Sequence, residues 1–136
     1  MQGKGYRVLV AEDNVALAAV VRYNLEQAKY TVVVVSNGRE AWEQLQAGEF
    51  DLVVTDQQMP HMSGSELCRH MRQQARLRDL PVVMLTAKGL ELESGKLRDE
   101  LGVQRLVHKP FSPRDLVTTV HNCLLEAAAA SVPTAI

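Results

Sequence analysis

Five residues with chemically useful side chains follow short apolar runs that lie far apart in this sequence. Glu12 and Asp13 come after VLVA, Asp56 ends LVVTD, Thr86 follows VVML, and Lys109 follows LVH. Three carboxylates brought together would repel one another without a cation, and hard oxygen ligands suit Mg²⁺, with Mn²⁺ as the alternative. Lys109 would add a compact positive charge, and the Thr86 hydroxyl could donate to an oxyanion. Together they would suit a phosphoryl group, toward which an Asp carboxylate can act as nucleophile.

Each of these residues also has a simpler structural interpretation. Asp56 could cap the next helix or form an Asx turn, and Glu12 and Asp13 could favour a helix N-terminus through its dipole. Thr86 could be an ordinary strand-end hydroxyl and Lys109 a solvated lysine. For each residue alone its structural alternative stays open. For the structural alternatives to explain the whole set, however, every one of them would have to hold independently at matching strand ends, which would be an improbable coincidence.

The apolar runs that precede these residues are short and rich in valine, which is typical of buried strands. We predict strands at Val8–Ala11, Val32–Val35, Leu52–Val54, Pro81–Leu85 and Val103–Val107. Helical spacing of apolar residues follows each of them, as in Leu17, Val20, Val21, Leu25 and Ala28 after the first strand. This alternation predicts an α/β fold with a five-stranded parallel sheet and helices on both faces. Parallel strands deliver their C-terminal ends to one edge of the sheet, so the five candidate residues should gather there.

Several segments between these elements are less regular. The charged stretch from Arg72 to Asp79 is predicted to be the solvated end of the third helix and a loop, and residues 88–102 an irregular helical segment. We predict a flexible lead-in (1–5), one domain (6–126) and a tail or linker (127–136). Gln58, two residues after Asp56, could offer its main-chain carbonyl as a further metal ligand.

Composition excludes several classes of protein. The chain has 136 residues, 46% of them hydrophobic and 23% charged, as expected for one globular domain. A formal net charge of −1 provides no electrostatic surface for nucleic acid, so direct nucleic-acid binding is not expected. We see no membrane-spanning run and no secretory signal, and Cys68 and Cys123 do not suggest a disulfide framework. A cytoplasmic location is the default expectation.

Four segments in order, VLVAEDN, LVVTDQQMP followed by Ser63-Gly64, VVMLTAK and HKPF, resemble the receiver domain of bacterial two-component response regulators, the chemotaxis-regulator-like group. The resemblance extends from about Tyr6 to Leu125. It implies a doubly wound (βα)₅ fold of flavodoxin-like strand order 2-1-3-4-5. It also implies a Lys109–Pro110 cis peptide.

The resemblance implies a function as well. Asp56 would accept a phosphoryl group from a sensor histidine kinase or a histidine phosphotransfer protein, with Mg²⁺ held by Asp13, Asp56 and the Gln58 carbonyl and with Glu12 close by. Thr86 and Lys109 would contact the phosphoryl group. The chain would act only on itself, by self-phosphorylation and autodephosphorylation, and would signal to a downstream effector or effector domain. It could also form a dimer.

One position departs from the family pattern. Many receivers carry an aromatic residue three positions before the lysine, and Leu106 stands there in this chain. An aliphatic side chain can repack but cannot move a phenolic hydroxyl, so the usual route of signal output is in doubt. Lys88 could attract anionic donors or be a surface lysine.

Two other functions compete with the phosphoacceptor switch. One is a phosphatase or phosphotransferase with Asp56 as nucleophile, although such enzymes commonly carry a second acid two residues later, where this chain has Gln58. The other is a receiver that is never phosphorylated and serves only for docking. The presence of all three acids together with Thr86 and Lys109 argues against it.

Overall fold

The computed structural model describes residues 5–87 and 99–131, and its strands form one parallel sheet in the order β2-β1-β3-β4-β5. The five strands are β1 (Arg7–Ala11), β2 (Thr31–Val35), β3 (Leu52–Asp56), β4 (Val82–Thr86) and β5 (Arg105–His108). The helices are α1 (Val15–Gln27), α2 (Gly38–Ala47), α3 (Gly64–Arg72), a short 3₁₀ helix (Ala75–Leu77) and the C-terminal helix (Pro113–Ser131). The doubly wound α/β fold and the strand order that the resemblance implies are confirmed.

Residues 99–101 are helical too, so a helical segment follows every strand within the described ranges. The rest of the irregular helix predicted over residues 88–102 lies outside them, as do Lys88 and residues 1–4. The C-terminal helix continues past the predicted domain boundary at residue 126 and runs to Ser131. The domain boundaries themselves stay predictions.

The two faces of the sheet carry separate hydrophobic clusters. Because side chains alternate along a strand, neighbouring residues such as Leu9 and Val10 serve opposite faces. Leu9 packs in the cluster under α2 and α3, whereas Val10 packs in the cluster under α1 and the C-terminal helix. The sheet is therefore covered on both sides, which explains why its strands read as nearly continuous apolar runs.

Side-chain caps start the helices that follow β1, β2 and β3. Asn14 accepts a hydrogen bond from Leu17 N–H at 3.0 Å, and Asn37 accepts one from Glu40 N–H at 2.8 Å. Ser63 and Glu66 form a reciprocal capping box at the start of α3. These caps satisfy helix N–H groups that have no partner within the helix, so each helix begins at a residue set by the sequence.

Two details of the predicted packing are wrong. Val20 fits the apolar spacing of α1 but is 42% exposed, because Ala18, Val21 and Leu25 make the buried face. The stretch from Arg72 to Asp79 is not simply solvated. Leu77 within it is 3% exposed, and Arg72 turns its guanidinium inward.

Arg72 joins three segments at the edge of the sheet where the strands begin. Its guanidinium donates to the main-chain oxygens of Leu101, Gly102, Leu77, Arg78 and Leu80 at 2.7 to 3.1 Å. Burial lowers the pKa of this arginine, which nevertheless stays in the cationic range. We call this group of contacts the Arg72 clamp.

Both cysteines are free and buried, in agreement with the absence of a disulfide framework. No helix in the described ranges is long and apolar enough to cross a membrane.

Candidate functional site

Asp56 is the last residue of β3, whose five residues are all buried. It pairs with Leu85 in β4, and its side chain reaches the edge of the sheet with 5% of the residue exposed. Asp56 does not cap the next helix, because α3 begins eight residues later behind Ser63. The helix-cap alternative for this aspartate is therefore not what the fold uses.

Glu12 and Asp13 follow β1, the neighbour of β3 in the sheet. Glu12 is 2% exposed, and its Oε2 accepts a hydrogen bond from the Asn14 N–H at 3.0 Å. The interpretation as a stabiliser of the α1 N-terminus thus holds in part for Glu12. Asp13 is exposed. Carboxylate oxygens of Glu12, Asp13 and Asp56 all lie within 4.8 Å of one another, and we call these three residues the acidic cluster.

Lys109 follows β5 and places its ammonium against the acidic cluster. Its Nζ donates to Asp56 Oδ2 at 3.0 Å and lies 3.1 Å from Glu12 Oε1. The Lys109 N–H donates to the Thr86 carbonyl at 2.8 Å, and the Lys109–Pro110 peptide is cis, as the resemblance implies. One cation thus bridges acids from two different strands.

This arrangement shifts the protonation equilibria of two side chains. Burial raises the pKa of Glu12, and the negative charge of Asp56 adds to that effect, while the Asn14 N–H and Lys109 oppose it. Burial alone would lower the pKa of Lys109, but its hydrogen bond to Asp56 and its ion pair with Glu12 outweigh burial and raise it. Lys109 is therefore a cation throughout the neutral range.

Thr86 and Gln58 sit beside this cluster. Thr86 ends β4 one residue beyond the partner of Asp56, is 2% exposed, and directs its hydroxyl toward the Ala87 carbonyl at 3.4 Å. Gln58 is exposed and begins the loop after β3. The sheet thus brings five of the six predicted site residues to one edge, and the sixth, Gln58, lies in the adjoining loop.

The donor set fits a hard divalent cation. Three carboxylates offer the oxygen ligands that Mg²⁺ prefers, and Mg²⁺ usually binds few carboxylates and keeps several waters. Glu12 Oε1 is buried, and its close polar partner among the described residues is the Lys109 ammonium at 3.1 Å. Three carboxylates carry more negative charge than one ammonium offsets, so a divalent cation beside the cluster would reduce their mutual repulsion.

Three residues near Asp56 were given no role at the site from the sequence: Gln57, Gly64 and Ser65. Gln57 bonds to Ser65 through both ends of its side-chain amide, at 2.8 Å to the Ser65 N–H. At Gly64, an added Cβ would lie 2.5 Å from the Asp56 carbonyl oxygen. The available signal in the sequence was Gly64 directly after Ser63, the cap of α3. Glycine at such a position indicates a close approach of two main-chain segments.

A five-stranded parallel sheet of this order is a flavodoxin-like fold, and here a lysine-bridged acidic cluster lies where its strands end. A family model for the response regulator receiver domain matches residues 8–121. The chain belongs to this family. Receiver domains are signalling domains that interact with histidine kinases and effector domains, and they typically bind Mg²⁺ in an acidic site.

Known proteins agree with this assignment. The chain is 39% identical over 122 residues to the phosphate regulon transcriptional regulatory protein PhoB of Rhizobium meliloti, covering 89% of this chain and 53% of PhoB. It spans about half the length of the curated relatives it matches.

Two solved structures are similar as well. The receiver domain of a signal transduction histidine kinase from Syntrophus aciditrophicus superposes with a TM-score of 0.82, at 30% identity and 97% coverage of both chains. The receiver domain of sensor histidine kinase PA1611 from Pseudomonas aeruginosa has a TM-score of 0.79, at 26% identity, with 88% of this chain and 98% of that chain covered. Its magnesium ion is coordinated in the active site cleft.

Proposed function

We propose that this protein is a phosphoacceptor switch of a two-component pathway and that Asp56 accepts the phosphoryl group. The observation that carries the proposal is the position of Lys109, whose Nζ lies 3.0 Å from Asp56 and 3.1 Å from Glu12. A lysine held between acids neutralises part of their charge while remaining able to contact a phosphoryl oxygen. The exposed Asp13 and the partly exposed Lys109 leave the cluster open to a donor from solvent.

The reaction transfers one phosphoryl group from a phosphohistidine of a sensor histidine kinase or phosphotransfer protein. A carboxylate oxygen of Asp56 forms the new P–O bond as the P–N bond breaks, and the electron pair of that bond stays on the imidazole nitrogen. Lys109 and the Thr86 hydroxyl stabilise the phosphoryl oxygens. Water later attacks phosphorus and releases phosphate, so the chain acts only on itself.

Mg²⁺ is the proposed cofactor, with Mn²⁺ as a substitute. Glu12, Asp13, Asp56 and the Gln58 carbonyl would hold it, as suggested by the acidic cluster and by the magnesium ion in the PA1611 receiver domain. When bound, the ion supplies neutralisation of the negative charge on the transferring group.

The output of the switch would involve β4 and β5. Thr86 pairs with His108, and Leu106 pairs with Met84 and is half-buried against the cluster under α2 and α3. Engagement of Thr86 by a phosphoryl group would favour repacking of Leu106, which biases a two-state surface for an effector or a second copy. With a net charge of −1, the chain itself is not proposed to contact nucleic acid. A cytoplasmic location is part of the proposal.

The test is incubation of the chain with acetyl phosphate and Mg²⁺, followed by mass spectrometry of the intact protein and its peptides. We expect one phosphoryl adduct on Asp56 that is absent in Asp56→Asn and absent when EDTA removes the metal. Asp51→Asn is a matched control, because Asp51 lies at the other edge of the sheet and accepts from the Arg7 N–H at 2.7 Å. Absence of an adduct would leave a docking receiver, and turnover of a generic phosphate ester would instead indicate a phosphatase.

A further inference from the structure

The loop between β3 and α3, residues 58–63, is closed at its base by Gln57. The half-buried Gln57 side chain accepts from the Ser65 N–H at 2.8 Å through its amide oxygen. Its amide nitrogen donates to the Ser65 hydroxyl. Both ends of one side-chain amide therefore bind one residue at the start of α3, and we call this pair of contacts the Gln57–Ser65 staple.

The main chain at the same point is equally constrained. The Gln57 N–H donates to the Leu85 carbonyl of β4 at 2.8 Å, and the Gln57 carbonyl accepts from the Gly64 N–H at 3.0 Å. An added Cβ on Gly64 would lie 2.5 Å from the Asp56 oxygen and 3.2 Å from Gln57 Oε1, so only glycine lets α3 sit this close. The first turn of α3 rests directly on Asp56, which ends β3, and on Gln57, which follows it.

The staple acts where the loop supplies its proposed metal ligand. Gln58 is the first residue after the staple, and its own side chain is exposed, so its neighbours determine where its carbonyl points. The far side of the loop has a separate support, because an added Cβ on Gly38 of α2 would lie 2.2 Å from the Met62 oxygen. Loss of the staple would therefore free the Gln58 end of the loop more than the Met62 end.

We propose that Gln57 is a positioning residue for the metal site: by holding Ser65 with both ends of its amide, it fixes the Gln58 carbonyl beside the acidic cluster. This inference rests on the proposed function, because it assigns Gln58 as a Mg²⁺ ligand. Substitution of a residue that orients a metal ligand without itself binding the metal typically changes metal affinity by about 10- to 100-fold. A bond that served only to stabilise the loop would change folding stability without a matching change in affinity.

The test is an NMR titration of the full chain with MgCl₂, comparing wild type with Gln57→Met, which keeps side-chain length but removes the amide. We expect the Kd for Mg²⁺ to rise about tenfold. The matched control is Gln46→Met, which breaks the reciprocal amide pair between Gln46 and Gln74, at 3.0 and 3.2 Å, away from the acidic cluster. That variant should bind Mg²⁺ like the wild type.

Variants at Ser65 separate the staple from any general effect of changing Gln57. Ser65→Ala keeps the N–H and loses the hydroxyl, so it should weaken Mg²⁺ binding by less than Gln57→Met does. Ser65→Thr retains a hydroxyl and should restore wild-type affinity.

The proposal is overturned if Gln57→Met and Ser65→Ala both bind Mg²⁺ with wild-type affinity, or if Gln46→Met weakens binding equally. In either case the proposed function stands, provided that the wild-type chain binds Mg²⁺ at Asp13 and Asp56. If the wild-type chain shows no Mg²⁺ binding there, the metal assignment and the staple inference both fail.

Discussion

A single lysine determines the charge balance of the candidate site. Lys109 contacts Asp56 and Glu12, which come from different strands, and its ammonium offsets repulsion between carboxylates that are nearly buried. Charges taken out of water are costly unless they are paired, and removal of one partner leaves the other uncompensated. The lysine therefore contributes to folding as well as to the proposed chemistry.

We predict that Lys109→Met destabilises the metal-free chain by about 2 kcal/mol at neutral pH. This figure lies below the ~3–5 kcal/mol of a broken buried pair, because water reaches part of the lysine. Urea unfolding in EDTA measures the change. In an Asp56→Asn background the same substitution should cost less, because one of the two acids has been neutralised. An equal loss in both backgrounds would show that Lys109 and Asp56 do not interact energetically.

The location of the site residues could be predicted from the sequence, because each of them ends or directly follows an apolar run. Asp56, Thr86 and Lys109 could be placed at one edge from strand direction alone. Gln57 could not, because nothing in a glutamine next to Asp56 indicates that its amide turns toward Ser65. That contact depends on where α3 begins, which the sheet and the Ser63 cap fix together.

At the scale of elements, helices and strands are joined by side chains at their ends. The Arg72 clamp connects the end of α3 to the segment before β4 and to the turn before β5. A guanidinium can do this because it presents five donors in a fixed plane, whereas an ammonium presents three from a single point. The clamp lies at the opposite edge of the sheet from the acidic cluster.

We predict that Arg72→Lys lowers the free energy of unfolding by about 2 kcal/mol, since partly buried carbonyls lose charged donors. Chemical denaturation measures this effect, and Arg78→Lys is the control because the Arg78 side chain is exposed. Mg²⁺ affinity should not change in either variant. A destabilisation no larger than that of Arg78→Lys would show that the clamp contributes little.

The Arg72 clamp also shows where the sequence was misleading. A run with arginines at positions 72, 76 and 78 is usually solvated, and the pattern contains no sign of which arginine turns inward. Val20 shows the opposite case, a residue predicted to be buried that is exposed. Its spacing fits the apolar face of α1, but the small Ala18 takes the buried position. Strands were easier to place, because all residues of β3 and β4 are buried and each of these strands begins with a continuous apolar run.

At the scale of the whole molecule, the parallel sheet separates the proposed chemistry from the structural support. All strand ends that carry site residues meet at one edge, while the Arg72 clamp ties segments at the other. Binding of a ligand at the first edge should therefore be coupled to global stability, because the acidic cluster joins the end of β3 to the residues after β1, and Lys109 after β5 contacts it.

We predict that Mg²⁺ stabilises the chain by about 1.4 kcal/mol when its concentration is ten times the Kd. Asp13→Asn should abolish most of this gain, and it should raise the metal-free stability slightly, because it removes one of three mutually repelling carboxylates. Thermal unfolding with increasing MgCl₂ provides the measurement, with NaCl of equal ionic strength as the control. The metal assignment would be contradicted by equal stabilisation of the wild type and Asp13→Asn.

The register of the strands has a consequence for variation in chain length. The helices of 13, 10, 9 and 19 residues differ widely, yet Ala11 still pairs with Thr55, and Asp56 with Leu85. Insertions or deletions in the turns before β2 and β3, which lie outside the Arg72 clamp, can be absorbed there, because strand pairing restores the alignment. One residue added within β3 would turn Asp56 to the other face. Changes in chain length are thus tolerated in those turns, whereas they are not tolerated within the strands that lead to the acidic cluster.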